Sequence, residues 1–154
     1  MPELIYARTK EEYAAAASLF REYAAWLNID LCFQNFEAEL LQLDKMYALP
    51  NGGIILCKEE GLFIGCVGIR KINDETAEMK RMWLQTNQQG RGLGSQLLHR
   101  AVELAKDCGY KKIQLDTLNT MQPAINLYRR NGFVEIPPYY HNPDERALYF
   151  EKLL

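Results

Sequence analysis

Gln89-Gly90-Arg91-Gly92-Leu93-Gly94 is the stretch on which the reading of this chain turns. Three glycines at alternate positions remove three side chains where an extended segment gives way to a helical one. Several backbone N-H groups are left free to converge on one point, and such a point binds an anion. The N-terminus of the following helix adds unsatisfied donors and the positive end of its dipole, and Arg91 adds a full charge, so pyrophosphate is the natural occupant. Leu93, Leu97, Leu98, Ala101, Val102 and Ala105 fall on one helical stripe after the turn, and Gly109 supplies a C-terminal stop. Thr76 to Leu84 before the turn and Lys112 to Thr117 after the helix read as strands. Strand, glycine turn, helix and strand make a βαβ unit, whose ligand site is expected at the carboxyl ends of its strands.

The six-residue pattern alone is common: with glycine near 7% of residues, chance gives roughly one match in seven chains of this size, so its neighbours must decide what it binds. A bare strand-to-helix turn with no ligand is the plain alternative. A P-loop would need Gly-Lys-Ser/Thr where the chain has Leu93-Gly94-Ser95. The dinucleotide pattern would need glycine at Ser95, and its unit normally opens a domain instead of following three antiparallel strands.

Working outward, Leu4 to Ala7 is a short apolar run, and Thr9 and Glu12 sit at capping-box spacing before a helix expected over about residues 10–27, with Tyr13, Ala17, Phe20 and Ala24 on its inner face. A second helix is expected after Asn35, with Phe36, Leu40 and Leu43. Pro50-Asn51-Gly52-Gly53 breaks that pattern. Ile54 to Cys57 and Leu62 to Ile69, joined by Lys58-Glu59-Glu60-Gly61, form a hairpin signature, and Asn73-Asp74-Glu75 turns into the third strand. A shorter helix is expected over about residues 122–131, opened by Pro123 and ended by Gly132. Phe133 to Ile136 and Ala147 to Leu153 read as closing strands.

The 154 residues are the size of one domain, and 48% of them are hydrophobic, enough for a single core. Eighteen basic against 20 acidic residues give a charge of −2, so no overall basic field draws in nucleic acid or an anionic membrane, and an anionic ligand must be held locally. The four cysteines, Cys32, Cys57, Cys66 and Cys108, have no CxxC spacing and no histidine cluster, and they read as reduced core residues in preference to a metal site. Met1-Pro2-Glu3 lacks a basic, apolar leader and no run is long enough for a membrane span, so a cytoplasmic protein is expected.

At this point the chain resembles the GCN5-related N-acetyltransferase (GNAT) superfamily, over about residues 54–154. The resemblance rests on Glu78-Met79-Lys80-Arg81-Met82-Trp83-Leu84, on Gln89 to Gly94, on Leu115-Asp116-Thr117-Leu118, and on Ala124-Ile125-Asn126-Leu127-Tyr128-Arg129-Arg130-Asn131-Gly132-Phe133, which is similar to the family's A-x-x-L-Y-x-x-x-G-F segment. It implies an α/β fold of mixed α+β sheet: a mostly antiparallel sheet with a splayed parallel strand pair joined by the βαβ crossover, helices on both faces, in a single domain over residues 1–154. It implies acetyl-CoA as co-substrate and no metal. The pantetheine would lie against the backbone of Met82, Trp83 and Leu84, and the pyrophosphate on the amides of Gln89, Gly90, Arg91, Gly92, Leu93, Gly94 and Ser95. The acceptor would be a primary amine of a small molecule or peptide, and the resemblance leaves a homodimer open.

The implied chemistry is direct attack of an amine on a thioester. An amine with a pKa near 10.4 is about three units too protonated at pH 7, a cost of roughly 4 kcal/mol, so a general base is useful. Glu78 and Asp116 occupy family base positions, Tyr128 matches the tyrosine that protonates the departing sulfur and meets the cofactor, and the backbone N-H near Leu84 is the candidate oxyanion donor. Plainer readings stand beside these: Glu78 as half of a surface pair with Lys80 or Arg81, Asp116 as a buried structural acceptor, Tyr128 as a core aromatic. Two departures matter. The asparagine many members carry on the second strand is Met121 here, leaving Asn119 as the stand-in, and the usual proline before the turn is Thr86. His99 and His141 have no partner in sequence. Tyr23, Trp26, Phe33, Phe36, Tyr139, Tyr140 and His141 are the residues expected to shape the acceptor pocket. A non-catalytic acyl-CoA-binding or sensing domain is the competing function.

Overall fold

The computed structural model describes residues 1–28 and 35–154. Cys32 and Phe33 therefore lie outside the described residues. Seven strands form one sheet in the order β1 (Glu3–Tyr6), β2 (Gly53–Glu59), β3 (Leu62–Lys71), β4 (Thr76–Leu84), β5 (Lys112–Leu118), β7 (Ala147–Leu153) and β6 (Val134–Ile136). Every neighbouring pair is antiparallel except β4 and β5. The expected mixed sheet with one parallel pair is thus the architecture found.

β2 and β3 read as near-continuous apolar runs because both faces are covered. In β2, Ile55 and Cys57 join an apolar cluster with α4 (Leu93–Asp107) and α5 (Gln122–Arg130), while Ile54 and Leu56 join a second cluster with α1 (Lys10–Leu27), α2 (Phe36–Leu40) and α3 (Leu43–Met46). In α4, six of the seven stripe positions from Leu93 to Ala105 match the sequence pattern and Leu104 completes it. Cys57 and Cys66 are buried thiols and Cys108 is half-buried, all three reduced.

Two helical expectations shift. The Thr9–Glu12 capping box opens α1 as read, but its buried residues are Ala16, Leu19 and Phe20. Tyr13 lies at the rim because its hydroxyl donates to the Tyr47 carbonyl at 2.9 Å, which turns the inner stripe by about a residue. The expected second helix is two short ones: a tight bond from the Gln42 amide to the Glu39 carbonyl ends α2 and re-aims the chain, so that Leu43 and Tyr47 join Phe36 in the core.

Gly52 marks where backbone meets backbone. A Cβ there would stand 2.0 Å from the Ile69 carbonyl oxygen, and neither partner is a movable side chain. Gly52→Ala is expected to lower stability by about 3 kcal/mol through overpacking, read as the midpoint of urea unfolding. An unchanged midpoint would show that β2 and β3 can separate there freely.

The feature that positions the site lies in β4. Pairing with β3 runs Cys66↔Trp83 and then Gly68↔Lys80, so Val67 alone faces both Arg81 and Met82. This is a β-bulge, and Arg81 holds a left-handed conformation in it, φ 60°. The extra residue reverses the facing of the strand. Ala77 and Met79 point toward the α4 cluster before it, Met82 and Leu84 do so after it, and Trp83 packs with α1. Arg81 is held by Glu39, which takes its Nη2 at 2.9 Å and its Nε at 3.3 Å, by the Phe36 ring 5.1 Å beneath, and through the Tyr47 hydroxyl bonded to the same carboxylate.

Candidate functional site

Parallel pairing between β4 and β5 covers only Thr76↔Lys112, Ala77↔Ile113 and Glu78↔Gln114. Beyond Glu78 the strands separate, and the β5-facing backbone groups of Met79 to Leu84 have no strand partner among the described residues. The gap is a groove. Toward the glycine turn it holds about 530 Å³ between Tyr23, Trp26, Met82, Leu84, Ala124 and Leu127, with Gln89, Gly90 and Gly94 at its end. Farther in it narrows to about 70 Å³ among Lys80, Asp116, Thr117, Met121 and Tyr128.

At the mouth, Gly90 and Gly92 take φ values of 83° and 78°, conformations that side chains resist, and Gly92 caps α4 with no side-chain bond. Among the described residues no backbone amide from Gly90 to Ser95 donates to a protein acceptor. The amides that the glycine spacing was expected to leave free are therefore without protein acceptors at this end of the groove. Gln89 ties the turn to the groove, its side-chain amide donating to the Leu84 carbonyl at 3.1 Å. Arg91 departs from expectation: its guanidinium makes two bonds to Glu59, at 2.8 and 2.9 Å, so its charge is largely compensated before any anion arrives.

The two carboxylates differ sharply. Glu78 is buried, not the surface partner of Lys80 or Arg81 that spacing allowed, because it faces Arg70 across the β3–β4 ladder. Arg70 binds it at 2.8 Å, the Tyr139 hydroxyl donates to it at 2.7 Å, and the Lys80 ammonium stands 3.9 Å away. Burial pushes its pKa up, but Lys80, Arg70 and Tyr139 together outweigh burial and leave it below the ordinary range. Asp116 is half-buried on the groove floor and takes a hydrogen bond from Tyr140. Burial raises its pKa, and the nearby Lys80 only partly reverses that.

Tyr128 packs its ring on Phe133 and Phe150, with centroids 5.8 and 6.3 Å away, while its edge lines the narrow end of the groove. Its hydroxyl has no hydrogen bond among the described residues, and burial pushes its pKa well above 10, so it stays protonated. Asn119 is exposed on the turn after β5 and does not line the groove, whereas Met121 does. Trp83 turns its indole toward Glu22 on α1, packs it against Tyr23 and Trp26, and lines the groove with them. Tyr23 and Trp26 line the groove itself, Tyr139 and Tyr140 border a separate cavity, Phe36 is core, and His99 and His141 are exposed.

Sequence reasoning missed Lys80. Beside Glu78 it looked like a surface charge, yet it is buried, and burial brings its pKa down to about 8 against the pull of Glu78. Among the described residues it alone lines both the narrow groove and the cavity on the α2 side. The missed signal was alternation: Glu78 and Lys80 share a face of a strand whose apolar neighbours are buried on both sides.

Known proteins resemble this chain in sequence and in fold. An uncharacterised N-acetyltransferase of Schizosaccharomyces pombe is 35% identical over 85% of this chain and 82% of its own. An acetyltransferase structure from Streptococcus agalactiae superposes with a TM-score of 0.82 at 22% identity, covering 99% of this chain and 98% of that one. A GNAT family acetyltransferase from Elizabethkingia anophelis, solved with acetyl-CoA bound, reaches 27% identity and a TM-score of 0.58 over 69% of this chain and 78% of its own. With residues 8–133 matching the acetyltransferase (GNAT) family, the chain belongs to that family.

Proposed function

We propose that this protein is an acetyl-CoA-dependent N-acetyltransferase acting in the cytoplasm as one domain on a primary amine, with Tyr128 and Asp116 as its acid and base. The observation that carries this reading is the continuity of the groove: an open amide cradle at one end, an unpaired strand edge along its wall, and a protonated phenol beside a carboxylate at its narrow end.

Those residues fit the co-substrate. The amides of Gly90 to Ser95 suit a pyrophosphate, the free backbone of β4 suits an amide-bearing chain by strand-like pairing, and the apolar walls suit its methylenes. Bound acetyl-CoA supplies an activated acetyl thioester. The chain's own groups then handle protons. Asp116 takes one from the incoming ammonium, directly or through a water. Tyr128 gives one to the departing sulfur. Glu78 is a poor base because its oxygens already hold Arg70 and Tyr139 and its pKa is lowered; it serves as the anion that fixes Arg70 and Lys80.

The test is acetyl-CoA binding followed by thiol release with a panel of amines. A base must be unprotonated, and burial raises the pKa of Asp116. Activity should therefore fall on acidification at a pH above the ordinary aspartate range. Asp116→Asn should flatten that acidic limb of kcat/KM and lower its plateau about 100-fold. A limb that persists unchanged would move the base elsewhere. Binding without turnover on any amine would favour a sensing domain.

A further inference from the structure

The parting of β4 and β5 brings the two faces of the sheet together. Tyr128 arrives there from α5, on the face that α4 covers, and Tyr23 arrives from α1, on the other. Both line the narrow end of the groove together with Asp116. Tyr128 and Asp116 each have a proton to handle, and Tyr23 has none. Its ring is half-buried and set by Trp83, with centroids 6.1 Å apart, while Trp26 packs on the same indole at 5.2 Å. The Tyr23 hydroxyl makes no hydrogen bond among the described residues. No wholly buried polar side-chain atom among those residues lacks a partner, so this oxygen is reached from the groove that the ring lines. Burial pushes its pKa up to about 12 against the pull of Arg81, and Asp116 adds to the rise. The phenol is therefore a hydrogen-bond donor throughout the working range.

Attack of an amine on a thioester places negative charge on the carbonyl oxygen, and donors held ready for that charge are worth most at a narrow, water-poor site. A backbone N-H of β4 is one such donor, and an oxyanion accepts more than one. We propose that Tyr23 is a second oxyanion donor, its hydroxyl bonding the carbonyl oxygen of the bound acetyl group from the sheet face opposite Tyr128. This rests on the acetyltransferase reading above. As the C-N bond forms, the carbonyl π pair moves onto oxygen, and its return breaks the C-S bond. The nitrogen gives up two protons, one to Asp116 and one that replaces the proton Tyr128 passes to sulfur. Tyr23 keeps its own proton throughout. Arg81, buried and held by Glu39, acts on the same phenol with positive charge, which favours the developing anion beside it.

Calorimetric binding of two probes to the full-length protein tests this: acetyl-CoA, and S-ethyl-CoA, which has a methylene where acetyl-CoA has its carbonyl. The unmodified protein should bind acetyl-CoA about fivefold more tightly, the size expected for one hydrogen bond. Tyr23→Phe should remove most of that preference by weakening acetyl-CoA alone, with S-ethyl-CoA affinity and the midpoint of urea unfolding unchanged. The same variant should lower kcat for thiol release about 30- to 100-fold and leave the KM for the amine as it was. Tyr128→Phe should keep the preference between the two probes, which separates the phenol that serves the oxygen from the phenol that serves the sulfur. Equal weakening of both probes would make Tyr23 a wall of the groove, and a raised amine KM at unchanged kcat would make it an acceptor contact. Either result, or a preference that survives Tyr23→Phe, would overturn this proposal while leaving the acetyltransferase reading intact. Absence of thiol release with every amine by the unmodified protein would overturn that reading and this one with it.

Discussion

Tyr128→Phe should lower kcat by about 100- to 1,000-fold while changing the acetyl-CoA dissociation constant by less than about threefold. The substitution removes one oxygen. The ring contacts with Phe133 and Phe150 are kept, and no protein group is orphaned because the hydroxyl makes no hydrogen bond among the described residues. Stability should scarcely change, so a lost rate reports lost chemistry. The phenol is matched to its task by remaining protonated: burial beside Asp116 disfavours the phenolate at any working pH. Pre-steady-state measurement of thiol release, set beside calorimetric binding of acetyl-CoA, separates the two quantities. A variant that loses both in equal measure would make Tyr128 a wall of the groove only. A variant that loses neither would mean that solvent protonates the sulfur.

Glu39→Ala should destabilise the fold by about 3 to 5 kcal/mol, the largest effect expected of any single change outside the apolar core. Arg81 and Glu39 are 4% and 1% exposed at the side chain, and burial alone would disfavour the guanidinium charge. Glu39 supplies the bonds that outweigh burial. Without that carboxylate, Arg81 would be a buried cation in a left-handed backbone conformation, with the Tyr47 hydroxyl left without its acceptor. The double change Glu39→Ala with Arg81→Leu is the decisive control. Removing both charges should recover much of the loss, although leucine gains nothing from φ 60° and the bulge stays strained. If the double variant is no better than the single one, the cost of Glu39→Ala comes from the cavity it leaves and not from the stranded charge. Urea unfolding of the four proteins of the cycle gives the answer.

Much of this fold was legible in the chain because local and tertiary signals agree. The stripe from Leu93 to Ala105, the Thr9–Glu12 cap, the apolar hairpin strands and the glycine turn each satisfy one rule of local chemistry, and the sheet uses them all. The free amides of the turn were legible for the same reason: they follow from glycine spacing alone. The polar interior was not. Spacing allowed Lys80 or Arg81 as the partner of Glu78. Its principal partner is Arg70, eight residues earlier and directly opposite on β3, and Arg81 belongs to Glu39, 42 residues away. Cross-strand and cross-layer pairs depend on register, which the turn between β3 and β4 sets for Arg70 and Glu78 and which shifts at Arg81 in a bulge that no residue type announces. Asn119 fails to reach the groove for a comparable reason: the turn after β5 bends it outward, its backbone amide bonded to the Arg146 carbonyl, and Met121 comes in instead.

The parting of β4 and β5 has a consequence apart from catalysis. Strand edges ordinarily lie at the margins of a sheet, where bulges, charges or covering loops keep other chains from adding to them. This fold carries edges in its middle, along Met79 to Leu84 and the end of β5. The bulge at Arg81 twists one of them out of line, and Tyr23 and Trp26 from α1 face Ala124 and Leu127 from α5 across the opening. A foreign polypeptide with side chains on both faces would collide with those walls. The same narrowness that suits a slender ligand is thus a guard against aggregation, maintained by the aromatic residues at the entrance.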